Sequence, residues 1–174
     1  MNSFALNLGL FVLRLSLGAT MLAHGYNHIY GGGKIEGTAR WFESLGMKPG
    51  KLHAWLASLT ELAAGAGLVV GLLTPWAAGA LIGVVLVAWI TNHRKAGFFV
   101  FRRPVEGWEY LMNLAAALLM IGIFGPGRWS LDHAVDYEPA FNTAMWITLV
   151  IGVGGAAGLL VTFWRPTAPA PAES

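Results

Sequence analysis

The stretch FALNLGLFVLRLSLGATMLAHGYN, residues 4–27, decides the fold class. At about 1.5 Å of helix rise per residue it can cross about 30 Å of hydrocarbon, and its single charge, Arg14, lies near its middle. An apolar run of this length reads as a membrane span. It is not a secretory signal, because no basic region precedes it, the run is too long, and it passes into a loop without a small-residue cleavage site. The segment is expected to remain in the mature protein.

Composition agrees. Hydrophobic residues make up 56% of the chain and charged residues 11%, and the mean hydropathy is +0.59, whereas soluble domains carry about 25% charged residues. The net charge of +2 and the pI near 9.2 do not point to nucleic acid. The positive residues sit a few per loop among Gly and Trp, which is a topology signal. With no Cys, the chain forms no disulfide, thiolate metal site or Cys-held cluster, so a redox role would need a bound cofactor or a partner.

Four more apolar stretches follow, at about 54–73, 76–92, 108–124 and 141–164, the second and third of these only just long enough to span. Thr74 and Pro75 are expected to make a two-residue turn between antiparallel neighbours, and Gly125-Pro126-Gly127 closes the fourth span. With five spans, Lys34, Arg40, Lys48, Lys51, Arg94, Lys95, Arg102, Arg103 and Arg165 share one side, and the other side has only Arg128. The positive-inside rule then places the N-terminus outside and the C-terminus in the cytoplasm. Trp55, Trp76, Trp108, Trp129, Trp146 and Trp164 fall mostly near span ends, where amphipathic rings anchor at the headgroup level.

In the first cytoplasmic loop, residues 37–47 place Trp41, Phe42 and Leu45 on one face and read as a short interfacial helix ended by Gly46. The Pro- and Ala-rich tail, residues 166–174, reads as disordered.

Buried charge is the first functional signal. Arg14 and Glu61 stand at similar depth by residue count, and an isolated charge at mid-membrane costs at least about 2.5 kcal/mol, so the two are expected to face the bundle interior as an ion pair. Such a pair serves either as a clamp on helix register or in binding a polar headgroup and relaying protons. A second polar group collects at the cytoplasmic ends, where His24 and His28 lie one turn apart, His53 begins the second span, Asn92 and His93 end the third, and Glu106, Glu109 and Asn113 open the fourth. His24, His28, His93, Glu106, Glu109 and Asn113 are the candidate ligand-binding residues. Imidazole and carboxylate together can hold a divalent metal, ligate haem or hydrogen-bond a quinone carbonyl. No HExxH or ExxH motif is present, so no metal site is expected. His133 reads as a surface residue of the outer loop.

Small residues at spacing four, among them Gly67 and Gly71, Gly79 and Gly83, and Gly154 and Gly158, suit close helix packing in lipid. Gly154 and Gly158 on the last span are the candidate face for a homo-oligomer.

Several of these features occur together and in order. They are Arg14 with Gly18, the His24-Gly25 pair, the Gly-rich turn with Lys34, Trp41-Phe42, Glu61 followed by small residues and Gly71-Leu72-Leu73-Thr74, His93 with Gly97-Phe98-Phe99, Glu109, and the string Gly125-Pro126-Gly127-Arg128-Trp129-Ser130-Leu131-Asp132. Over about residues 8–133 the chain resembles the DoxX family. The resemblance implies a compact four-helix bundle in the bacterial plasma membrane, associated with terminal-oxidase or thiosulfate:quinone oxidoreductase subunits and with a membrane complex of the oxidative-stress response. The chain departs from the family in having His28 where many members carry a Lys soon after the His-Gly pair, and in its fifth span, which reverses the side of the C-terminus.

The expected architecture is therefore all-α: an integral membrane four-helix bundle over residues 1–135, an outer-loop end and fifth transmembrane helix over 136–165, and the tail. Three functions compete. One is a membrane subunit or anchor of a redox complex that holds a quinone and meets redox protein partners on the cytoplasmic side. The second is a non-catalytic scaffold or assembly factor whose basic loops recruit a partner or anionic lipid. The third is a small transporter, for which no inverted repeat is evident.

Overall fold

The computed structural model describes residues 3–101, 104 and 106–166. Its elements are α1 (Ser3–Tyr30), α2 (Lys34–Ser44), α3 (Gly50–Val70), α4 (Thr74–His93, with a π-helical last turn from Trp89), α5 (Glu109–Phe124), the single turn α6 (Leu131–Ala134), and α7 (Phe141–Phe163, with a π-helical stretch at Val150–Gly154). The described residues form no β-strand beyond an isolated bridge between Met47 and Trp164. The expected all-helical membrane bundle is what folds. The tail at 167–174, and Arg102 and Arg103 of the basic set, lie outside the described residues.

Helices α1, α3, α4 and α7 are long and apolar enough to cross a membrane. The fourth apolar stretch is shorter, with α5 of 16 residues rising only about 24 Å. It still runs the height of the bundle. Just before α5 the Glu106 carbonyl bonds His93 at the end of α4, and just after it the Arg128 amide donates to Asn7 Oδ1 (2.7 Å) near the start of α1. Loops at both ends complete the distance. Helix α7 begins with Phe141 against Phe124 (ring centroids 6.1 Å) and finishes at the opposite end, where Trp164 Nε1 donates to the Leu45 carbonyl (2.9 Å). One end of the molecule therefore carries Lys34, Arg40, Lys48, Lys51, Arg94, Lys95 and Arg165, all exposed. We call this the basic end.

Packing follows the small residues. Helix α1 lies chiefly on α3, α5 on α4, and α7 across α4 and α5. A Cβ added at Gly18 would stand 2.7 Å from the Gly65 carbonyl oxygen, and one added at Gly25 would stand 2.9 Å from the Ser58 carbonyl oxygen. Only glycine permits this approach of α1 to α3. The main core joins Leu17, Met21, Leu68, Leu81, Leu118 and Ile121 across four helices.

The turn between α3 and α4 differs from the expected Thr74-Pro75 pair. Helix α3 stops at Val70 because Gly71 takes a left-handed C-cap conformation (φ 70°) and the Leu72 amide donates back to the Gly67 carbonyl (2.8 Å), while Thr74 already begins α4 with Pro75 in its first turn. The turn is Gly71 to Leu73. In the first loop the helix begins at Lys34, three residues before the expected Gly37, and buries Ala39 and Phe42 while Trp41 stays partly exposed. Lys51 Nζ bonds Glu36 Oε1 (2.9 Å), tying α2 to α3 and holding the Glu36 carboxyl below the usual carboxylate range.

Candidate functional site

Arg14 and Glu61 are not brought together. Arg14, 1% exposed, donates from Nη1 to the carbonyls of Leu68 (3.1 Å) and Val69 (2.5 Å) and from Nη2 to the carbonyl of Trp129. It thereby caps the C-terminal end of α3, where the helix dipole favours a cation. The neighbouring Asp132, also 1% exposed, accepts from the Leu73 amide (2.6 Å), the Thr74 amide (2.9 Å) and the Thr74 hydroxyl (2.7 Å), capping α4 at the end that favours an anion. The reason the pair fails to form is directional. Helical side chains tilt toward their own N-terminus, so in antiparallel α1 and α3 the Arg14 side chain leans away from the basic end and the Glu61 side chain leans toward it. Matching Cα depth therefore does not bring the two charged groups together.

The same tilt brings Glu61 to His28. His28 Nε2 lies 3.5 Å from Glu61 Oε2, with the side chains 20% and 6% exposed. His24, one turn earlier on α1, is exposed.

The remaining sequence candidates form a separate group. His93 Nδ1 donates to the Glu106 carbonyl (2.7 Å), which leaves Nε2 to accept from the Tyr110 hydroxyl (3.0 Å) and the Asn92 amide (3.1 Å). Glu109 Oε1 accepts from the Val100 amide (3.0 Å), and the Asn113 amide donates to the Glu109 carbonyl (3.0 Å). These bonds fasten the loop between α4 and α5. The ring of polar groups expected at this end thus resolves into two clusters, because α1 pairs with α3 while α5 pairs with α4.

Most buried polar side chains satisfy their hydrogen bonds inside the protein. Ser58 donates to the Ala54 carbonyl (2.7 Å) and Thr148 to the Ala144 carbonyl (2.8 Å), and Arg14 leaves only Nε without a partner. His53 and Glu61 are different. His53 is 2% exposed and neither ring nitrogen has a hydrogen-bond partner, although the Lys48 backbone lies beside it. Its ring is held edge-on to Phe163 (centroids 5.0 Å) and near Phe42 (6.3 Å). Glu61 is 5% exposed, and its Oε2 is likewise unbonded. An unsatisfied buried polar group typically costs about 1–3 kcal/mol, so two in one place call for an explanation.

Both line one cavity of about 260 Å³ between α2, α3, α4 and α7. Its polar lining is His28, His53, Thr60, Glu61 and Thr91, and the rest is apolar, from Phe42, Leu56, Val84, Val87, Ile151 and Leu159 among others. His53 and Glu61 are eight residues apart on α3, about 12 Å of rise, so they mark opposite ends of the space. Trp41 and Leu56, 39% and 44% exposed, form part of the wall. Both π-helical stretches adjoin it: Thr91 belongs to one, and Ile151 to the other. No group of three or more His, Asp or Glu able to hold a metal ion occurs among the described residues.

His53 is the site residue that sequence reasoning left out of its ligand candidates, although it stood in the polar group at the basic end. Its signal was a histidine at the start of an apolar span with no carboxylate within a turn.

Compared with known proteins, residues 9–94 match the family model DoxX. That span takes in α1 to α4 and hence every polar residue of the cavity. No curated protein and no solved structure matches the chain.

Proposed function

From the premise that residues 9–94 belong to the DoxX family, we propose that this chain is a membrane subunit of a redox complex in the bacterial plasma membrane. Its basic end faces the cytoplasm, and it holds a quinone-class molecule in the cavity between α2, α3, α4 and α7. The observation that supports this reading is that both His53 ring nitrogens and Glu61 Oε2 are buried without a hydrogen bond and face one largely apolar space. A quinone ring is apolar on its faces and polar at two carbonyl oxygens, which suits such walls with a few placed donors. His53 supplies a ring N–H at one end, and His28 with Glu61 supplies donors at the other. The 12 Å of helix rise between them exceeds the span of one quinone ring, so a single ring engages one end at a time. When bound, a quinone supplies two-electron chemistry coupled to protons. The protein's share is to bind the ring, exclude bulk water and hold a proton at the Glu61 carboxyl. The ligand enters from the bilayer beside the exposed Trp41 and Leu56.

The test is binding. Purified protein should quench its tryptophan fluorescence on titration with a short-chain benzoquinone, and its lipid extract should contain quinone. His53→Phe and Glu61→Gln should each weaken the titration by about tenfold or more. A protein that carries no quinone and shows no quenching would sink the reading.

The second reading, a scaffold, is favoured by the exposed cations of the basic end and by the outward-facing Gly154 and Gly158, whose added Cβ atoms would meet at most a Val150 methyl group, at 4.0 Å from Gly154. Capture of a cytoplasmic redox protein that persists in the His53→Phe and Glu61→Gln variants would support it.

A further inference from the structure

We propose that His28 and Glu61 form a proton-exchange pair that connects the membrane-embedded cavity to water at the basic end. The idea rests on the reading of the cavity as the site of a ligand that takes up protons, and it assigns the route those protons use. Glu61 lies eleven residues into α3, is 5% exposed and lines the cavity. His28 lies two residues from the end of α1 and keeps a fifth of its side chain exposed, with Nε2 3.5 Å from Glu61 Oε2. It thus stands beside the buried carboxylate and also reaches the surface. Its ring stacks on Trp41 (centroids 6.4 Å, planes 20° apart), and its backbone carbonyl accepts from the Thr38 hydroxyl (2.8 Å), so α2 holds both ring and backbone in place.

The transfer balances. A proton from water adds at His28 Nδ1 while the Nε2 proton passes to the Glu61 carboxylate, and the imidazole remains neutral in its other tautomer; isotope exchange runs the same step in both directions. The separation of 3.5 Å is long for direct transfer, and catalytic contacts commonly tighten only when a site is occupied.

The surroundings leave few competitors. On α1 the other titratable groups are Arg14, committed to the far end, His24, exposed one turn away, and the phenols Tyr26 and Tyr30, both exposed and packed on each other (ring centroids 4.8 Å). On α3 there are His53, about 12 Å of rise from Glu61, and Lys51 beyond it, bonded to Glu36 of α2. The other charged groups of α2 are Lys34, Arg40 and Glu43, all exposed, and Glu43 accepts from the Gly50 amide (3.3 Å). The only titratable residue of α4 is His93, whose ring nitrogens are both bonded elsewhere, and α7 has none.

Hydrogen–deuterium exchange of the Glu61 carboxyl reads this directly and needs no ligand. The full chain in phosphatidylcholine vesicles at mildly acidic pH should show a carboxyl infrared band that disappears in Glu61→Gln and shifts rapidly in heavy water. His28→Phe should slow that shift by about tenfold or more. His28→Gln, which keeps a polar side chain of similar reach but cannot accept one proton and release another, should slow it equally, so the result does not depend on one variant folding well. His133→Phe, at the opposite end of the molecule and outside the cavity, should exchange like the wild type. Exchange as fast in both His28 variants as in wild type, or a wild-type protein with no such band, would overturn the proposal. A protein that exchanges through His28 but binds no benzoquinone would refute the quinone reading and leave the proton route standing.

Discussion

Arg14 and Glu61 look equivalent on the sequence, one charge in each of two apolar spans, yet their surroundings assign them opposite roles. Arg14 and Asp132 neutralise the facing ends of α3 and α4 and bind the Gly125–Asp132 string to the bundle, with the Asp132 amide also donating to the Gly71 carbonyl (2.8 Å). Asp132 further offsets the left-handed backbone of Leu73 (φ 49°), whose amide it accepts. Asp132→Ala should therefore cost about 3 kcal/mol of stability, because three charge-assisted bonds are lost and a buried guanidinium is left without its countercharge. Unfolding of the purified variant in detergent checks the size, and benzoquinone titration of the folded fraction should be unchanged. His53→Phe should behave the other way round. Removing a polar ring that has no partner, in favour of an apolar ring of similar size between Phe42 and Phe163, should leave the unfolding midpoint unchanged or raise it by the equivalent of about 1 kcal/mol. The same change should weaken ligand binding by about tenfold or more. A variant that lost both stability and binding would mark His53 as structural.

At the scale of helices, glycine positions separate packing from open surface. A Cβ at Gly79 would come within 2.9 Å of the Thr148 carbonyl oxygen, and one at Gly152 within 2.8 Å of an Ile82 methyl carbon, so α4 and α7 meet where both lack side chains. Gly79→Ala should cost about 1–3 kcal/mol through forced separation of these helices. Gly158→Ala, with nothing within 4 Å, should be neutral or gain up to about 1 kcal/mol of helix propensity. Denaturant titration of the two variants tests the contrast, and a self-associating protein would reverse the Gly158 result. The spans, the interfacial helix and the need for small residues were legible because length and periodicity decide them. The partners of the buried charges were not. They depend on the tilt of side chains along antiparallel helices and on backbone carbonyls freed at a helix end, and a residue count records neither. The cavity was illegible for a similar reason: His53 and Glu61 share it because α2 and α7, distant in sequence, close over α3. The α3–α4 turn was shifted because Pro75 was read as the breaker, when a first-turn proline lets Thr74 open α4 and leaves Gly71 to end α3.

For the molecule as a whole, the decisive question is which end faces the cytoplasm, since the proton route and any protein partner both depend on it. The chain traverses the bundle five times, and the short helix α5 is the crossing on which the count rests. If α5 did not cross, the loop before it and the C-terminal end could not both lie beside the first loop, as they do through Arg94 over the Trp164 ring (5.4 Å) and the Arg165 amide on the Gly46 carbonyl (2.8 Å). Every exposed cation among the described residues except Arg128 then falls at one end, and the positive-inside rule predicts that this end faces the cytoplasm. The absence of cysteine makes the prediction simple to check. Single cysteines introduced as Glu138→Cys, beyond α6, and Lys95→Cys, after α4, lie at opposite ends and need no background removal. In intact bacterial cells an impermeant maleimide should label the first and spare the second, and breaking the membrane should make the second reactive. Labelling of both in intact cells would mean that α5 does not separate them, and labelling of Lys95→Cys alone would invert the molecule and put the His28 end of the proton route in contact with the outside.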